Sequence, residues 1–368
     1  MLHHLLPRLE DIHIVFNLFN YITVRSAGAM ATGLILTLLL GRPVIEWLKR
    51  KDIVDVPRSK LADTPPGDRK ANMGGVLIVG VVTLTTLLWA DLANEYTVTG
   101  LAIMLWMGGI GFLDDYFKVV RQTPRGLVQA WKWAGSILLA LALGVWLLNW
   151  GPPSPAGATT TNLPLFDEWL LVFTPVAYLV WVTVVINGST HAVNMTDGLD
   201  GLAPGLAAIA MGTFGVFAYV IGRVDTSAYL GLLYLPGAGE LAVFAAAITG
   251  TVLGFLWFNA QPARVIMGDT GSLALGGALG GIAVLVKAEL LLLAVGGVFA
   301  AEAASVIIQT RYFKYTKWRH GEGRRVFRCA PIHHHFQMLG WRNEQIVVRF
   351  WILGILCAMV GFATLKLR

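Results

Sequence analysis

The sequence predicts an all-α polytopic integral membrane protein, a single transmembrane domain over 1–368 built as a bundle of about ten transmembrane helices. Of its 368 residues, 56% are hydrophobic and 14% are charged, whereas about 25% are charged in an average soluble domain. Ten apolar runs follow one another, and a bilayer-spanning helix needs about 20 mostly apolar residues. The sequence lacks the short alternating segments of an outer-membrane barrel. This composition excludes a disordered chain and a soluble enzyme.

The apolar runs, taken in chain order, each predict one helix. The fourth run is longer than a helix, and its second half, NWGPPSPAGATTTNLP, is rich in helix-breaking residues, which predicts an external loop or hairpin. The ninth run continues past Glu302 through 303–310. The ten runs are 26–41, 71–90, 96–113, 133–166, 169–190, 201–222, 241–263, 270–286, 290–301 and 350–365.

The loops between these helices differ in charge, and this difference predicts the orientation. An even number of helices places both termini on one side of the membrane. One alternating set of loops holds 22 of the 28 Lys and Arg residues, and short cytoplasmic loops carry such an excess. We therefore expect this set in the cytoplasm and both termini in the periplasm, and we expect no nucleic-acid partner. The set comprises 42–70, 114–132, 187–200, 259–269 and 311–349.

Two features inside the apolar runs concern helix packing. Glycines in 276–281 form two overlapping G-x-x-x-G spacings, which suit close helix contact. Packing inside the bundle is favoured over a dimer seam.

Glu302 is the one acid clearly within an apolar run. We interpret it as a packing contact, with Ser305 one turn on as its partner, rather than as part of a proton path.

Two adjacent carboxylates, Asp114 and Asp115, follow the third run directly. Neighbouring carboxylates repel each other and are costly near hydrocarbon. A divalent cation would stabilise them, and magnesium prefers one or two carboxylates together with phosphate oxygens. A solvated helix end is the alternative interpretation of this pair taken alone.

Two further junctions of the cytoplasmic set carry acids beside Asn and Gly. Asp197 and Asp200 are three residues apart, so one helical turn would direct both the same way. Asp269 lies in a Gly-Asp-Thr-Gly turn that opens a helix and offers free N–H groups to a phosphate. Helix capping is the simpler alternative for each Asp alone. Capping does not account for Asn194 and Asn259 at the same junctions.

The last cytoplasmic loop contains three consecutive histidines, His333, His334 and His335. A zinc site is one interpretation, but adjacent histidines rarely share one tetrahedral metal ion, and no cysteine pair flanks them. Imidazoles beside a run of arginines are more typical of a site for phosphate or sugar. Carboxylates for magnesium, cations for phosphate and donors for a nucleotide or sugar at one membrane face together favour phosphoryl transfer. We expect a polar substrate from the cytosol and a lipid acceptor.

Four segments of the chain resemble the phospho-N-acetylmuramoyl-pentapeptide transferases, a branch of the polyprenyl-phosphate N-acetylhexosamine-1-phosphate transferases. The segments are GFLDDYFKVVR, AVNMTDGLDGLA, FNAQPARVIMGDTGSLALGGAL and APIHHHFQMLGW. The resemblance covers 20–368, and the four segments occur in the same order and on the same loops as in the family. One departure precedes the second helix, where the family usually has Gly-Thr-Pro-Thr-Met-Gly-Gly and this chain has DRKANMGG. A role carried over to Lys70 is therefore a weak inference.

The resemblance implies a reaction and a setting. Phospho-MurNAc-pentapeptide would pass from UDP-MurNAc-pentapeptide to undecaprenyl phosphate with Mg²⁺, giving lipid I and UMP in the first membrane step of peptidoglycan synthesis. It also implies ten transmembrane helices in the bacterial cytoplasmic membrane, an active site on the cytoplasmic face, and a homodimer.

The resemblance also assigns roles to residues. Asp114, Asp115 and Asp269 are the expected catalytic carboxylates, and Asp269 and Asp115 the expected metal ligands. Either Asp114 removes the last proton from undecaprenyl phosphate, or an Asp attacks first and forms a covalent phospho-enzyme. The expected substrate contacts are Lys70, Lys118, Lys132, Asn194, Asp197, Asp200, Asn259, His333, His334 and His335.

Two other functions stay open from the sequence. The first is a sister enzyme that transfers GlcNAc-1-phosphate to the same lipid. An assay that compares UDP-GlcNAc with UDP-MurNAc-pentapeptide as donor would distinguish the two enzymes. The second is a secondary transporter, but transporters place polar residues near the bilayer midplane. In this chain the polar clusters lie at one predicted membrane face, which argues against transport.

Overall fold

A computed structural model describes residues 2–11, 13–54, 69–123, 126–163 and 170–365. These residues are mostly helical and include one two-stranded antiparallel sheet, in which Thr160 pairs with Val172. The elements are α1 (Leu2–Leu5), α2 (Ile22–Arg50), α3 (Gly75–Trp89), α4 (Glu95–Asp115), α5 (Gln129–Asn149), β1 (Thr160–Asn162), β2 (Leu170–Val172), α6 (Pro175–Thr196), α7 (Leu202–Ile221), α8 (Val224–Tyr229), α9 (Leu241–Asn259), α10 (Gly268–Leu285), α11 (Glu289–Val295), α12 (Gly297–His320), α13 (Ile332–Met338) and α14 (Asn343–Ala363). Short 3₁₀ segments at Pro7–Leu9, Ile14–Asn20 and Ala238–Glu240 and a π-helical turn at Tyr116–Val120 complete them.

Each of the ten apolar runs contains a helix. Within the described residues, eight helices are long and apolar enough to cross a membrane, namely α2, α4, α5, α6, α7, α9, α10 and α14. The ninth run forms α11 and α12, which meet at a bend of 88°. The second run forms α3, whose 15 residues extend about 22 Å and fall short of the hydrocarbon thickness of about 30 Å. The all-α polytopic fold is thus confirmed, whereas ten crossings and the orientation of the termini stay predictions.

The second half of the fourth run is not helical, as its composition predicts. Helix α5 ends at Asn149, and β1 then pairs with β2 as a small antiparallel ladder. Residues 164–169, which join the two strands, lie outside the described residues. Pro175 then begins α6 at a position where its missing N–H costs nothing, and Thr174 caps that helix by accepting from the Ala177 amide at 3.3 Å.

Helix α10 is the centre of the bundle and packs against α3, α4, α6 and α7. Its glycines face two neighbours. A Cβ on Gly276 would lie 2.6 Å from the Cα of Thr190 on α6, and one on Gly277 would lie 2.6 Å from Met107 on α4. All four glycines of the two G-x-x-x-G spacings are buried. The prediction of packing inside the bundle is confirmed.

The described parts of the five loops in this set meet at one end of the bundle. The Ala71 amide donates to the Arg264 carbonyl at 3.1 Å, and the Ala71 carbonyl accepts from the Ile266 amide at 2.8 Å. Met73 has a positive φ of 63°, which lets Gly74 and Gly75 pack directly against the 265–271 segment. These contacts join the first and fourth loops of the set. Residues 55–68 of the first loop lie outside the described residues.

Candidate active site

Asp115 caps the N-terminus of α10 from the end of α4. Its Oδ1 accepts from the Asp269 amide at 3.0 Å, and its Oδ2 accepts from the Thr270 amide at 2.8 Å and the Thr270 hydroxyl at 2.6 Å. Carboxylates are stabilised by the unpaired N–H groups at a helix N-terminus. Although its side chain is buried, Asp115 has three donors, and they place the start of α10 directly beside the end of α4.

Asp114 is fully buried and lies beside two lysines. Its Oδ1 accepts from the Leu127 amide at 2.8 Å. Its Oδ2 is 2.7 Å from Nζ of Lys132 and also pairs with Lys118 one turn along the chain. A buried carboxylate is strongly unfavourable unless it is paired and hydrogen-bonded. The two lysines therefore hold a charge at the end of α4 that the bundle would otherwise exclude.

Asp269, in the first turn of α10, shares the same two lysines. Its Oδ2 is 2.6 Å from Nζ of Lys132 and 3.2 Å from Nζ of Lys118. Its Oδ1 accepts from Nδ2 of Asn194 at 3.1 Å. Residues from α4, the following π-helical turn, α5, α6 and α10 thus converge on one point. They form the carboxylate–lysine cluster, which comprises Asp114, Asp115, Asp269, Lys118, Lys132 and Asn194.

The carboxylate–lysine cluster has the donor set for a magnesium ion. One oxygen each from Asp114, Asp115 and Asp269 lies within 4.8 Å of the other two. Magnesium takes oxygen ligands, usually one or two carboxylates together with substrate phosphates. Three carboxylates against two lysines leave a formal charge of −1, so the cluster attracts a cation, and its lysines are well placed to receive phosphate.

Asp197 lies at the C-terminal end of α6, close to this cluster. Burial raises its pKa well above the usual value, and the negative charges of Asp269, Asp115 and Asp200 act in the same direction. Asp200 instead pairs with Lys70, with Nζ 2.5 Å from Oδ2. The predicted contact residues 197, 200 and 70 are thus adjacent, and two of them bond to each other.

Asn259 has its amide group fully occupied by backbone. Its Oδ1 accepts from the Gly201 amide at 2.9 Å, and its Nδ2 donates to the Val265 carbonyl at 2.7 Å. The side chain is buried. In the structure Asn259 joins the 197–201 segment to the 259–267 loop, and its predicted contact with substrate stays untested.

The three predicted histidines occupy different environments on α13. His333 is fully buried, with Nδ1 3.1 Å from a carboxylate oxygen of the equally buried Glu302, and its ring presses against Gly198. His334 Nδ1 is 2.6 Å from Oε1 of Gln337, and His335 Nδ1 accepts from the Arg328 amide at 3.1 Å. The partner of the Glu302 carboxylate is thus His333. The Ser305 hydroxyl donates to the Glu302 backbone carbonyl at 2.7 Å, so the predicted contact between these residues is present but does not involve the carboxylate.

Two polar residues beside the cluster, Ser272 and His191, are not among the site residues that the sequence predicts. Ser272 accepts from Nδ2 of Asn194 at 2.8 Å. His191 stacks on Trp133 with ring centroids 4.2 Å apart, next to Lys132 in the chain. His191 precedes Asn194 by three residues on α6, so helical spacing alone places both on one face. That spacing was the available signal for His191.

Comparison with known proteins shows the family of this chain. A family model described as glycosyl transferase family 4 matches residues 97–287, a stretch that includes Asp114, Asp115 and Asp269. Similar proteins named phospho-N-acetylmuramoyl-pentapeptide-transferase include one from Gemmatimonas aurantiaca that is 50% identical, one from Maricaulis maris at 46% and one from a Geobacter species at 46%. In all three the match covers 100% of both chains, and so includes Lys70 and the histidines.

Proposed function

The chain belongs to glycosyl transferase family 4 and, within it, to the phospho-N-acetylmuramoyl-pentapeptide-transferases, and on this premise we propose that its carboxylate–lysine cluster carries out the transfer. The protein transfers phospho-MurNAc-pentapeptide from UDP-MurNAc-pentapeptide to undecaprenyl phosphate, giving lipid I and UMP. The observation that carries the site assignment is the convergence of Asp114, Asp115 and Asp269 with two lysines at one end of an apolar bundle.

We assign the magnesium ion of this reaction to Asp269 and Asp115, with Asp114 beside them. When bound, the ion neutralises the charge that develops on the departing UMP. The Oδ1 atoms of Asp114, Asp115 and Asp269 each accept one hydrogen bond, so each keeps a second lone pair for a metal ion. Lys118 and Lys132 bind the phosphates, because ammonium groups form strong charge-assisted hydrogen bonds with phosphate oxygens.

Asp114 serves as the general base. The Leu127 amide holds its Oδ1 at 2.8 Å, while its Oδ2 faces the two lysines that receive the phosphates. Oδ2 takes the last proton of undecaprenyl phosphate, and the freed phosphate oxygen attacks the sugar-linked phosphorus. The bond from that phosphorus to the UMP oxygen breaks, and UMP leaves with the electron pair. A phosphoaspartate trapped in a single turnover would instead support the covalent route.

The lipid chain of the acceptor has a matching groove. A cavity of about 330 Å³ lies between α6, α11 and α12, and its lining residues lie on both sides of the 88° bend between the last two helices. Its lining includes Ala192 and Val193, which directly precede Asn194 of the cluster. A polyprenyl chain in this groove would bring its phosphate to Lys118 and Lys132. Further lining residues include Trp181, Val184, Leu292, Phe299, Ala303 and Ile307, and Glu289 is the one charged residue among the described lining residues.

A bulky substitution in the groove tests this placement. Ala303→Trp should raise the KM for undecaprenyl phosphate about tenfold or more, because a large side chain displaces the lipid, while the KM for the UDP substrate stays unchanged. Ile355→Trp is the matched control, since Ile355 on α14 is exposed to the surroundings and lies outside the groove. Equal KM changes for both substrates, or an effect in the control, would contradict the placement.

We place the cluster on the cytoplasmic face of the bacterial inner membrane and expect a homodimer. The excess of cations in the loops at this end supports the orientation, and the dimer is carried over from the family resemblance.

A donor assay tests the function. Purified protein with undecaprenyl phosphate and Mg²⁺ should release UMP from UDP-MurNAc-pentapeptide and form a lipid-linked product, and EDTA should stop the release. UDP-GlcNAc in the same assay separates the sister activity. Comparable turnover of UDP-GlcNAc, or full activity after removal of divalent cations, would overturn the proposal.

A further inference from the structure

A second cluster of potential ligands lies at the opposite end of the bundle. His3 and His4 on α1 and Asp91 in the α3–α4 loop each offer one ligand atom, and the three atoms lie within 4.8 Å of one another. His4 Nε2 is 3.0 Å from Oδ1 of Asp91, and His3 Nε2 is 3.9 Å from its Oδ2. The 21 residues of α4 separate this cluster from Asp114 by about 30 Å. The proposed transfer reaction does not use it.

The ligand atoms are held in place by groups around them. His3 Nδ1 is 3.4 Å from the Phe19 carbonyl, and a metal-binding imidazole typically donates its second N–H to such a group. That bond directs the Nε2 lone pair of His3 toward Asp91. The Asp91 backbone amide donates to Glu240 at 3.2 Å, and Glu240 is itself fixed by a buried ion pair with Arg25.

The chemistry of this set favours one class of ion. Two imidazoles and one carboxylate suit zinc and its neighbours in the first transition series, whereas magnesium and calcium prefer oxygen ligands only. Three protein ligands leave one tetrahedral position for water. The side chains of His3 and Asp91 are partly exposed and that of His4 is 47% exposed, so an ion can enter from solvent.

We propose that His3, His4 and Asp91 form a binding site for a divalent transition-metal ion, with zinc as the favoured occupant. The bound ion would link α1 to the α3–α4 loop and so fasten the N-terminal segment to the bundle. Without an ion, the same three side chains form ordinary His–Asp ion pairs, which need a protonated imidazole. Metal binding therefore needs neutral imidazoles and releases their extra protons, whereas ion pairing retains those protons.

The experiment measures zinc binding by the full-length protein after EDTA treatment and removal of any histidine tag. In excess Mg²⁺, which competes for the carboxylate–lysine cluster, calorimetric titration with Zn²⁺ should give one site per chain, and Co²⁺ should give the visible absorption of a low-coordinate histidine site. His3→Ala, His4→Ala and Asp91→Asn should each weaken Zn²⁺ binding at least about tenfold, since each removes one of only three ligands. All three positions are at the surface, so the variants should fold.

Two controls separate this site from other histidines. His13→Ala alters an exposed histidine of the same N-terminal segment outside the cluster and should leave Zn²⁺ binding unchanged. His3→Ala/His4→Ala should keep full transferase activity, because the cluster is remote from the reaction. Zinc binding that survives in this double variant, or its absence from the wild type, would overturn the proposal. Failure here would leave the transferase assignment intact.

Discussion

Lys132 is the residue on which the carboxylate–lysine cluster depends most directly. It lies in the first turn of α5, where the helix dipole disfavours a cation. It remains there because its ammonium lies 2.7 Å from Asp114 and 2.6 Å from Asp269, and its side chain is 11% exposed. The lysine thus offsets two carboxylates that would otherwise repel each other.

Lys132→Gln should lower stability and activity together. Removing one partner of a buried ion pair costs about 3–5 kcal/mol, and we expect the lower end because Lys118 still contacts both carboxylates. Turnover should fall by about 10²-fold, as for loss of one electrostatic contact in a site. Mg²⁺ should raise the melting temperature of Lys132→Gln more than that of the wild type. Lys317→Gln, at an exposed lysine on α12, is the control. An equal effect of Mg²⁺ on the melting temperatures of the wild type, Lys132→Gln and Lys317→Gln would contradict the role given to Lys132.

Asp197 gives a pH dependence with a definite sign. Because its folded-state pKa is raised well above the usual value, the native state binds this proton more tightly than the unfolded chain. The contribution to stability is present at low pH and is lost as pH rises through the folded-state pKa. Asn resembles the protonated side chain, so the melting temperature of Asp197→Asn relative to wild type should increase from pH 5.5 to pH 8.5 in EDTA. A difference that shrinks over this range would contradict the raised pKa.

Residue identities alone predict which side chains assemble but not what each one contacts. The acids at 114, 115 and 269 were expected together from their shared membrane face, and the structure places them together. The sequence gives no sign that Asn259 bonds two backbone groups or that His333 is buried against Glu302. Those partners are distant in the chain, and a motif does not contain the geometry that selects them.

At the scale of elements, the glycines of α10 position the cluster. Gly276 lets α6 approach until Thr190 Cα would be 2.6 Å from an added Cβ, and Asn194 on the same helix bonds Asp269. The spacing of these glycines predicted close packing. It did not predict that one pair faces α6 and the other α4, because both faces of α10 are equally apolar.

Gly276→Ala should therefore impair function through packing. The new methyl group would force α6 away from α10, lower the melting temperature by several degrees, and reduce turnover at least about tenfold by separating Asn194 from Asp269. Gly109→Ala on α4 has nothing within 4 Å of the added Cβ and should match the wild type. Wild-type stability and activity in Gly276→Ala would show that the α6–α10 distance is not set there.

The bend between α11 and α12 shows a second limit of the sequence. The ninth run predicted one helix extending past Glu302, and the structure divides the run at Gly296 with an 88° turn. A single glycine is compatible with a straight or a broken helix, so local sequence leaves the choice open. Packing against α6 and α14 accompanies the break and leaves the apolar groove beside it.

At the scale of the whole molecule, the distribution of charge predicts the orientation. A green fluorescent protein fused after His320, at the cluster end of the bundle, should fluoresce in cells, because it folds only in the cytoplasm. The same protein fused to the C-terminus should stay dark, whereas alkaline phosphatase there should be active. Fluorescence from the C-terminal fusion would reverse the predicted topology and place the cluster in the periplasm.

The carboxylates at the end of α4 and the start of α10 are the groups that we expect to perform the transfer. The most direct measurement is formation of lipid-linked product from UDP-MurNAc-pentapeptide by Asp269→Asn and Asp114→Asn, beside Asp225→Asn as control. Asp225 is an exposed acid remote from the cluster that pairs with Arg223 at 2.9 Å. We predict at least about 10³-fold loss in the first two variants, which should stay folded at the assay temperature although their melting temperatures fall, and full activity in the control. Wild-type-like product formation by either cluster variant would contradict the assignment.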